Sequence, residues 1–577
     1  MAGNSQTEDD YKSDEETLAQ ATVRFLEDFI WISDPTGGSR ELGGSGRLVS
    51  AIPGVGVLGA YNVKLVNADW DHRGAFQRTL LQGINDFGAH PGRGASSHFY
   101  NVTLRSTEKI LPGAEIFINY GEAWGDEEDD DDEESELNKK DFEKVDLFVN
   151  QMIDFFSKYE GELTPLAKSE IYDFLVKEVV RAAAGEKKGN TIFKMLPKNP
   201  DELIDIKEAG GALKYSIPTS KRNLEWLKHN GMCMDNIYMD ASTVPFAGRG
   251  AFARRHIPEG KIVTPVPLIQ IPDRSVMDMY EVKQSSDSEG KNFFHRDNND
   301  PIGKQLLLNY CFGHPESSLL FFPSGALSVL INHSVEKANV KLQFSDQRFN
   351  RKDWMQTPPE KLIDEEHAFL GLLMEIIALR DIKQGEELLM DYGQEWQLAW
   401  DAHVKMWSDA LKRGELSDAW PIRALDLSHE YMSKPYPTVE EGAIYPENVV
   451  QMCFLVVKKG QGVNATTDWA IPSKEPIFDS SNLFECKVTE RFELDKLDDF
   501  GSTMPYNYTV EWYAEKEGKN HGTQVYNVPH AAIIFIDKPM TSDQFVAKSF
   551  RHEIGIPDDV FPQGPWRNRG SKDVGKV

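Results

Sequence analysis

Asp126 to Glu134 are nine consecutive acidic side chains. No apolar core can take up such a run, and mutual repulsion keeps it extended. The chain is therefore expected to fold as separate bodies on either side of a solvated linker, 125–136. A docking strip for basic peptides is the sharper reading of the same charges. The run belongs to a wider imbalance of 92 acidic against 63 basic residues, a net charge of −29. Such a chain repels nucleic-acid phosphates, and no basic patch larger than a few residues interrupts it. Direct nucleic-acid binding is not expected, whereas a basic partner such as a Lys-rich protein tail would be attracted.

At roughly 100–200 residues per domain, 577 residues suggest several units. No apolar run approaches the ~18 residues of a membrane span. The acidic stretch Met1–Glu16 lacks the basic and apolar regions of a secretory signal. A soluble, intracellular protein of nucleus or cytoplasm is expected, with no membrane partner. Cys233, Cys311, Cys453 and Cys486 include no CxxC pair. That argues against a zinc site and a disulfide framework, so no metal is assigned and the cysteines are read as buried thiols.

Residues 1–19 read as disordered and 20–124 as globular. In 137–215, a helical region, Phe142, Val145, Val149, Met152 and Phe156 step by three and four. Gly161 ends that helix, and Thr164-Pro165 caps the next, whose stripe is Ile171, Leu175 and Val179. Residues 185–215 look like a loop punctuated by Pro and Gly. From 240 to 397 the pattern turns to short strands and turns. Residues 401–439 form a helical segment, with Trp400, Val404 and Trp407 on one face of the helix that starts near 398. A mainly β domain is expected over 440–566, with strands near Met452–Val457, Tyr508–Trp512 and Ala531–Ile536, and a tail over 567–577.

Three segments inside the strand-rich region carry polar groups that chemistry can use. The first is Gly248-Arg249-Gly250-Ala251-Phe252, where glycines let a backbone approach a ligand. The second is Val329-Leu330-Ile331-Asn332-His333-Ser334, with Asn339-Val340 beyond it. Asn and His after an apolar strand either cap a turn or bind a polar ligand. The third runs from Gly385-Glu386-Glu387-Leu388 to Asp391-Tyr392-Gly393. Each alone reads as an ordinary turn.

In this order and spacing the three segments resemble the SET-domain family of protein-lysine methyltransferases. The resemblance implies an α+β chain. A SET β-clip fold with a knot-like C-terminal crossing would occupy 216–400, beside the helical linker region and the C-terminal mainly β domain. It implies S-adenosylmethionine as cofactor, held by Gly248, Arg249, Gly250, Asn332 and His333. It makes Tyr392 the active-site tyrosine, and Tyr310 matches, more loosely, a tyrosine lining the lysine channel. The substrate would be a protein with an accessible lysine, histones among the candidates. The family's cysteine cluster after the tyrosine is missing from Gln394–Trp407, so Trp396, Trp400 and the following helix are candidates to cover the channel. A non-catalytic SET-fold binding or scaffold protein is the alternative.

An internal echo adds to this. Residues 110–124 and 382–396 share Ile, Gly, Glu, Tyr, Gly and Trp without a gap. Upstream, Val57–Leu65 echoes Val329–Leu342 only if a gap is allowed, with Ala60-Tyr61 in place of Asn332-His333. Residues 20–124 are therefore expected to be a degenerate SET-like domain without cofactor contacts.

Overall fold

A computed structural model describes residues 18–27, 31–32, 49–50, 60–61, 65–71, 90–92, 94–95, 103–119, 139–180, 188–189, 192–193, 196–217, 220–245, 247–286, 292–325, 327–364, 370–414, 424–442, 445–457, 467–468, 483–498, 502–516, 519–538 and 549–569. The acidic run and Tyr120 lie outside these residues. No described helix is long and apolar enough to cross a membrane. The chain divides into two compact units. One comprises Leu58–Asp71 and Thr103–Met232; the other comprises Met1–Val57, His72–Val102 and Cys233–Val577.

The larger unit opens with α1, Leu18–Glu27, and the smaller with four short strands: β1 Ala60–Tyr61, β2 Ala68–Asp71, β3 Thr103–Ser106 and β4 Phe117–Ile118. β1 pairs parallel with β4, and β2 antiparallel with β3. Helix α2, Lys139–Lys158, buries the expected stripe from Phe142 to Phe156. Helix α3, Pro165–Phe174, is capped by Thr164, whose hydroxyl accepts the Ala167 N–H at 3.2 Å. The expected stripe Ile171, Leu175, Val179 is corrected by one position: Tyr172, Val176 and Val180 are buried, and Val179 is 47% exposed. The helix passes into a π-helical stretch, Leu175–Val180, after Tyr172. The expected loop over 185–215 is also corrected, because α4, Leu203–Ala209, and α5, Ala212–Ser216, form there. Leu203 and Ile206, three apart, are buried, and left-handed Gly210 separates the two helices. Helix α6, Leu224–Asn230, follows.

In the larger unit, β5 Ile237–Ala241 and β6 Arg249–Ala253 make a hairpin. Eight further strands form one sheet: β7 Ile262–Ile271, β8 Phe312–Gly313, β9 Leu320–Pro323, β10 Asn332–His333, β11 Val340–Phe344, β12 Leu372–Ala378, β13 Leu389–Met390 and, far along the chain, Ile554–Gly555. Central β7 and β12 are almost wholly apolar because both faces are covered. Phe25 of α1 packs with Ile269 and Ile271 of β7.

Helices α7, Gln394–Lys412, and α8, Ala424–Tyr431, lead to a five-stranded antiparallel sheet. Its strands are β14 Val449–Phe454, β15 Leu483–Glu493, β16 Tyr506–Lys516, β17 Lys519–Pro529 and β18 Ile533–Asp537, in the order β17-β16-β15-β14-β18. Cys453 on β14 and Cys486 on β15 are joined by a disulfide, with Cα atoms 5.8 Å apart. This corrects the reading of all four cysteines as thiols. Strand pairing, which a separation of 33 residues hides, brings the two side chains together. Cys311 is a buried thiol and Cys233 an exposed one.

The last strand of the eight, β19 (Ile554–Gly555), runs parallel to β8. Ile554, Ile556, Phe561 and Trp566 then share a core with Leu268 and Phe321. Residues 549–569 thus complete the eight-stranded sheet, although the sequence assigned most of them to the C-terminal β region. Strands β13 to β18 and helices α7 and α8 lie between β12 and β19, and no local pattern announces a return.

Strand pairings in the smaller unit recur in the larger one at a fixed interval. Ala60↔Phe117 corresponds to Asn332↔Leu389: 332 less 60 and 389 less 117 both give 272. The same interval turns Ala68↔Ser106 into Val340↔Ala378. Asn67 Oδ1 accepts Phe117 N at 3.0 Å and its Nδ2 donates to Glu115 O at 2.9 Å. Asn339 makes the equivalent bonds with Leu389 N (2.9 Å) and Glu387 O (2.7 Å). The correspondence needs no gap, contrary to the sequence reading.

Candidate active site

The three polar segments converge at one edge of the larger sheet. In the β5–β6 hairpin Asp240 faces Gly250 and Ala241 faces Arg249. Gly248 sits at φ 72°, in the left-handed region that glycine enters without penalty. Gly250 is glycine for a different reason. A Cβ there would meet Glu387 Oε1 at 2.2 Å, so packing against a carboxylate excludes any side chain. Between them Arg249 is buried, its Nη1 donating to Met239 Sδ at 3.1 Å, which leaves its backbone to face Asn332.

Asn332 on β10 donates through Nδ2 to Arg249 O at 2.8 Å, to Ser242 Oγ at 3.0 Å and to Glu387 Oε1 at 3.4 Å. All of these bonds use the amide nitrogen, so what the side chain can offer a ligand is Oδ1, an acceptor. His333 Nδ1 accepts the Tyr392 backbone N–H at 3.0 Å. A backbone N–H only donates, so the ring proton lies on Nε2, 2.8 Å from Gln397 Oε1. Gln397 is itself oriented by donating to Asp401 Oδ1 at 2.9 Å. Both imidazole nitrogens are therefore engaged, and the side chain ties Tyr392 to α7.

The Tyr392 hydroxyl donates to the Ile331 carbonyl. Burial pushes its phenol well above the ordinary value, so it stays neutral around pH 7. Trp396 stands perpendicular to the Tyr392 ring, with centroids 5.1 Å apart, and lies 4.6 Å from His333. Trp400 stacks on Trp396 at 5.8 Å, and Phe550 packs edge-on to both. These rings form an apolar wall beside Tyr392, where the sequence lacks the family's cysteines.

Tyr310 ends a 3-10 turn, Leu306–Tyr310, and is partly exposed. Its neighbour Cys311 accepts Ile554 N through its carbonyl, and Gly555 N donates to Tyr392 O, both at 2.8 Å. Strand β19 thus holds the two tyrosine-bearing segments beside each other. A Cβ at Gly555 would lie 2.8 Å from Tyr392 O, so this approach depends on glycine. A cleft of about 520 Å³ lined by Thr243, Phe252, Lys337, Arg380 and Glu386 lies next to Glu387. It includes none of Gly248, Asn332, His333 or Tyr392.

Sequence reasoning missed Ser242, Thr243, Gln397, Phe550 and Gly555. Glu387 lay inside a quoted motif, but nothing in the sequence revealed what its carboxylate binds.

A comparison with curated proteins finds no match. Among solved structures, a histone methyltransferase candidate from Plasmodium falciparum is 17% identical at a TM-score of 0.18, over 29% of this chain and 99% of its own. The Chaetomium thermophilum polycomb repressive complex 2 is 19% identical at 0.17, over 31% of this chain and 18% of its own. An autoinhibited form bound to S-adenosylmethionine is 19% identical at 0.16, over 31% and 17%. Residues 248–393 match the family model of the SET domain.

Proposed function

We propose that the chain is a protein-lysine N-methyltransferase that uses S-adenosylmethionine. The observation that carries this is that Asn332 Nδ2 bonds to Arg249 O and the adjacent His333 to Tyr392 N, which joins the three sequence segments at one place. The residues present suit the cofactor. Asn332 Oδ1 is an acceptor for an ammonium group, and the Gly248–Gly250 backbone carries no Cβ at either end. These residues would hold the amino-acid part, with Arg249 contributing its backbone and His333 fixing the strand beside it. When bound, the cofactor supplies an electrophilic methyl group on a sulfonium.

The chain's own residues prepare the amine. A free lysine has a pKa near ~10.4 and is mostly protonated at neutral pH. The wall of Trp396, Trp400 and Phe550 disfavours the ammonium and excludes water. The Tyr392 hydroxyl donates its hydrogen bond to Ile331 O, which leaves lone pairs on the phenolic oxygen to accept an N–H of the neutral amine and orient it. Tyr310 would line the same channel from the neighbouring segment. Histones are candidates for the substrate, in keeping with the histone methyltransferase named among the similar structures.

The smaller unit is, in this reading, a degenerate copy of the second half of the SET domain, and the knot-like crossing belongs near β13. The constant interval of 272 residues supports the copy. So does Ser220–Arg222, which pairs with Gly113–Glu115 as β6 pairs with Gly385–Leu388. Ser216 and Ile217 precede that segment, where the SET domain has its glycines. A non-catalytic role is favoured for this unit alone, and the five-stranded sheet is assigned to substrate or partner recognition.

Methyl transfer from labelled S-adenosylmethionine to a panel of histones and Lys-rich proteins tests the main reading. Label on a lysine, lost in the Tyr392→Phe protein, is expected. No transfer together with no cofactor binding would leave only the scaffold alternative.

A further inference from the structure

We propose that Glu387 is a positioning residue for the cofactor loop, setting residues 242–250 and Asn332 in the one arrangement that can hold S-adenosylmethionine. The inference rests on the assignment of this site to that cofactor.

Glu387 is 6% exposed. Its Oε1 accepts Ser242 Oγ at 2.6 Å and Asn332 Nδ2 at 3.4 Å. Its Oε2 accepts Thr243 N at 2.7 Å and the Thr243 hydroxyl. Ser242 Oγ in turn accepts Val244 N and Asn332 Nδ2, each at 3.0 Å. The carboxylate therefore joins the turn before the glycines to the asparagine that faces the ligand, and Gly250 lies flat against it. Among the described residues no Lys or Arg side chain bonds to this carboxylate. Burying a carboxylate without a cation is costly, and it is tolerated here because every lone-pair direction meets a donor.

The internal copy supplies a control. Glu115 stands 272 residues before Glu387 and keeps the same backbone bond, Asn67 Nδ2 to Glu115 O at 2.9 Å. Its side chain is exposed, and Ala60 and Tyr61 replace Asn332 and His333. Strand pairing thus does not need the buried carboxylate. The carboxylate is buried only where the ligand-facing asparagine is present.

A Gln at position 387 has the right shape and the wrong chemistry. One of its two ends would be an NH2 group facing either Thr243 N–H or Asn332 Nδ2, both donors, so the network cannot re-form. Calorimetric titration of the full chain with S-adenosylmethionine, together with steady-state kinetics, tests this. In Glu387→Gln the cofactor Kd is expected to rise about tenfold or more. Turnover at saturating cofactor should stay within about threefold, because Tyr392 and the aromatic wall do not touch Glu387. Ser242→Ala and Thr243→Val should each raise Kd less, and combining Ser242→Ala with Glu387→Gln should add little, since both break one network. Glu115→Gln should leave Kd unchanged.

Equal Kd in wild type and Glu387→Gln would overturn the proposal. So would a full multiplicative effect in the double variant. Should Glu387→Gln not fold, the milder Ser242→Ala and Thr243→Val proteins decide: wild-type Kd in both overturns it. A wild-type protein that binds no cofactor overturns the site assignment itself, a result distinct from wild-type binding that the variants preserve.

Discussion

At the scale of single residues, Tyr392 and His333 divide the work differently from what their motifs suggest. His333 spends both ring nitrogens on Tyr392 N and Gln397, so its side chain orients rather than contacts. In the proposed reaction it is Tyr392, through the lone pairs of its hydroxyl, that accepts from the incoming amine. Tyr392→Phe keeps the ring against Trp396 and removes that acceptor. Turnover is expected to fall roughly 10²-fold, the scale of a misplaced reactant, while the cofactor Kd changes less than about twofold. Unchanged turnover on a verified substrate would remove Tyr392 from the chemistry. The sequence revealed these residues because three short motifs keep a fixed order. It hid Glu387's partners because hydrogen bonds from Ser242 and Thr243, 145 and 144 residues away, leave no periodic trace. Gly250 stood out as a glycine, but the carboxylate of the same chain that excludes a side chain there did not.

At the scale of elements, the stripe of α2 was readable because 3.6-residue periodicity is a local property. The shift on the next helix was not: it is already present at Tyr172, before the π-helical stretch begins. The larger loss was β19. Trp566 is fully buried, donates Nε1 to Thr357 O at 2.9 Å and packs on Phe321 at 5.3 Å. Trp566→Ala is expected to destabilise the protein by about 3–5 kcal/mol, the usual cost of emptying a large aromatic site. Thermal unfolding would show this as a lower Tm. A chain cut near 435 loses β19 and Trp566 and is expected to fail to fold for the same reason. A loss below about 1 kcal/mol would mean that the C-terminal segment merely rests on the sheet. The five-stranded sheet carries a pH-sensitive link of its own. His530 accepts from the Tyr508 hydroxyl at Nδ1 and donates to Tyr431 O, both at 2.8 Å, and burial lowers its pKa below 6.5. The unfolded chain then takes up the proton first as pH falls. His530's contribution is present above about pH 6.5 and is lost as pH drops through the folded pKa. Unfolding at pH 7.5 and 5.5 should show this loss, reduced in His530→Gln. An equal pH dependence in that variant would place the sensitivity elsewhere, with His90, His314 and His403 the next candidates because burial lowers each of them.

At the scale of the whole molecule, the repeated pairings give two versions of one strand arrangement, and they differ where the ligand groups stand. Both keep the asparagine clamp of Asn67 and Asn339 and a left-handed glycine, Gly113 at φ 85° and Gly385 at φ 80°. Clamp and turn hold the strands together, which explains their presence in both. Asn332, whose Oδ1 is the acceptor the proposed function assigns to the cofactor, becomes Ala60, which has no acceptor in its side chain. The segment that pairs in the place of β6, Ser220–Arg222, follows Ser216 and Ile217 rather than a glycine-rich turn. Leu65, Asn67, Glu115 and Phe117 meet Ala209 and Lys214 there, leaving a gap of about 10 Å³, and Lys214 bonds to Glu108 at 2.8 Å. One S-adenosylmethionine per chain is therefore expected, at the 248–393 site. Asn332→Ala should abolish most of the binding heat, whereas Asn67→Ala should lower stability by about 1–3 kcal/mol, by leaving the backbone groups of Phe117 and Glu115 unpaired, and should spare the stoichiometry. Two cofactors per chain, or binding that survives Asn332→Ala but not Asn67→Ala, would show that the smaller unit is a working site and that the substitutions at Ala60 and Tyr61 did not disable it.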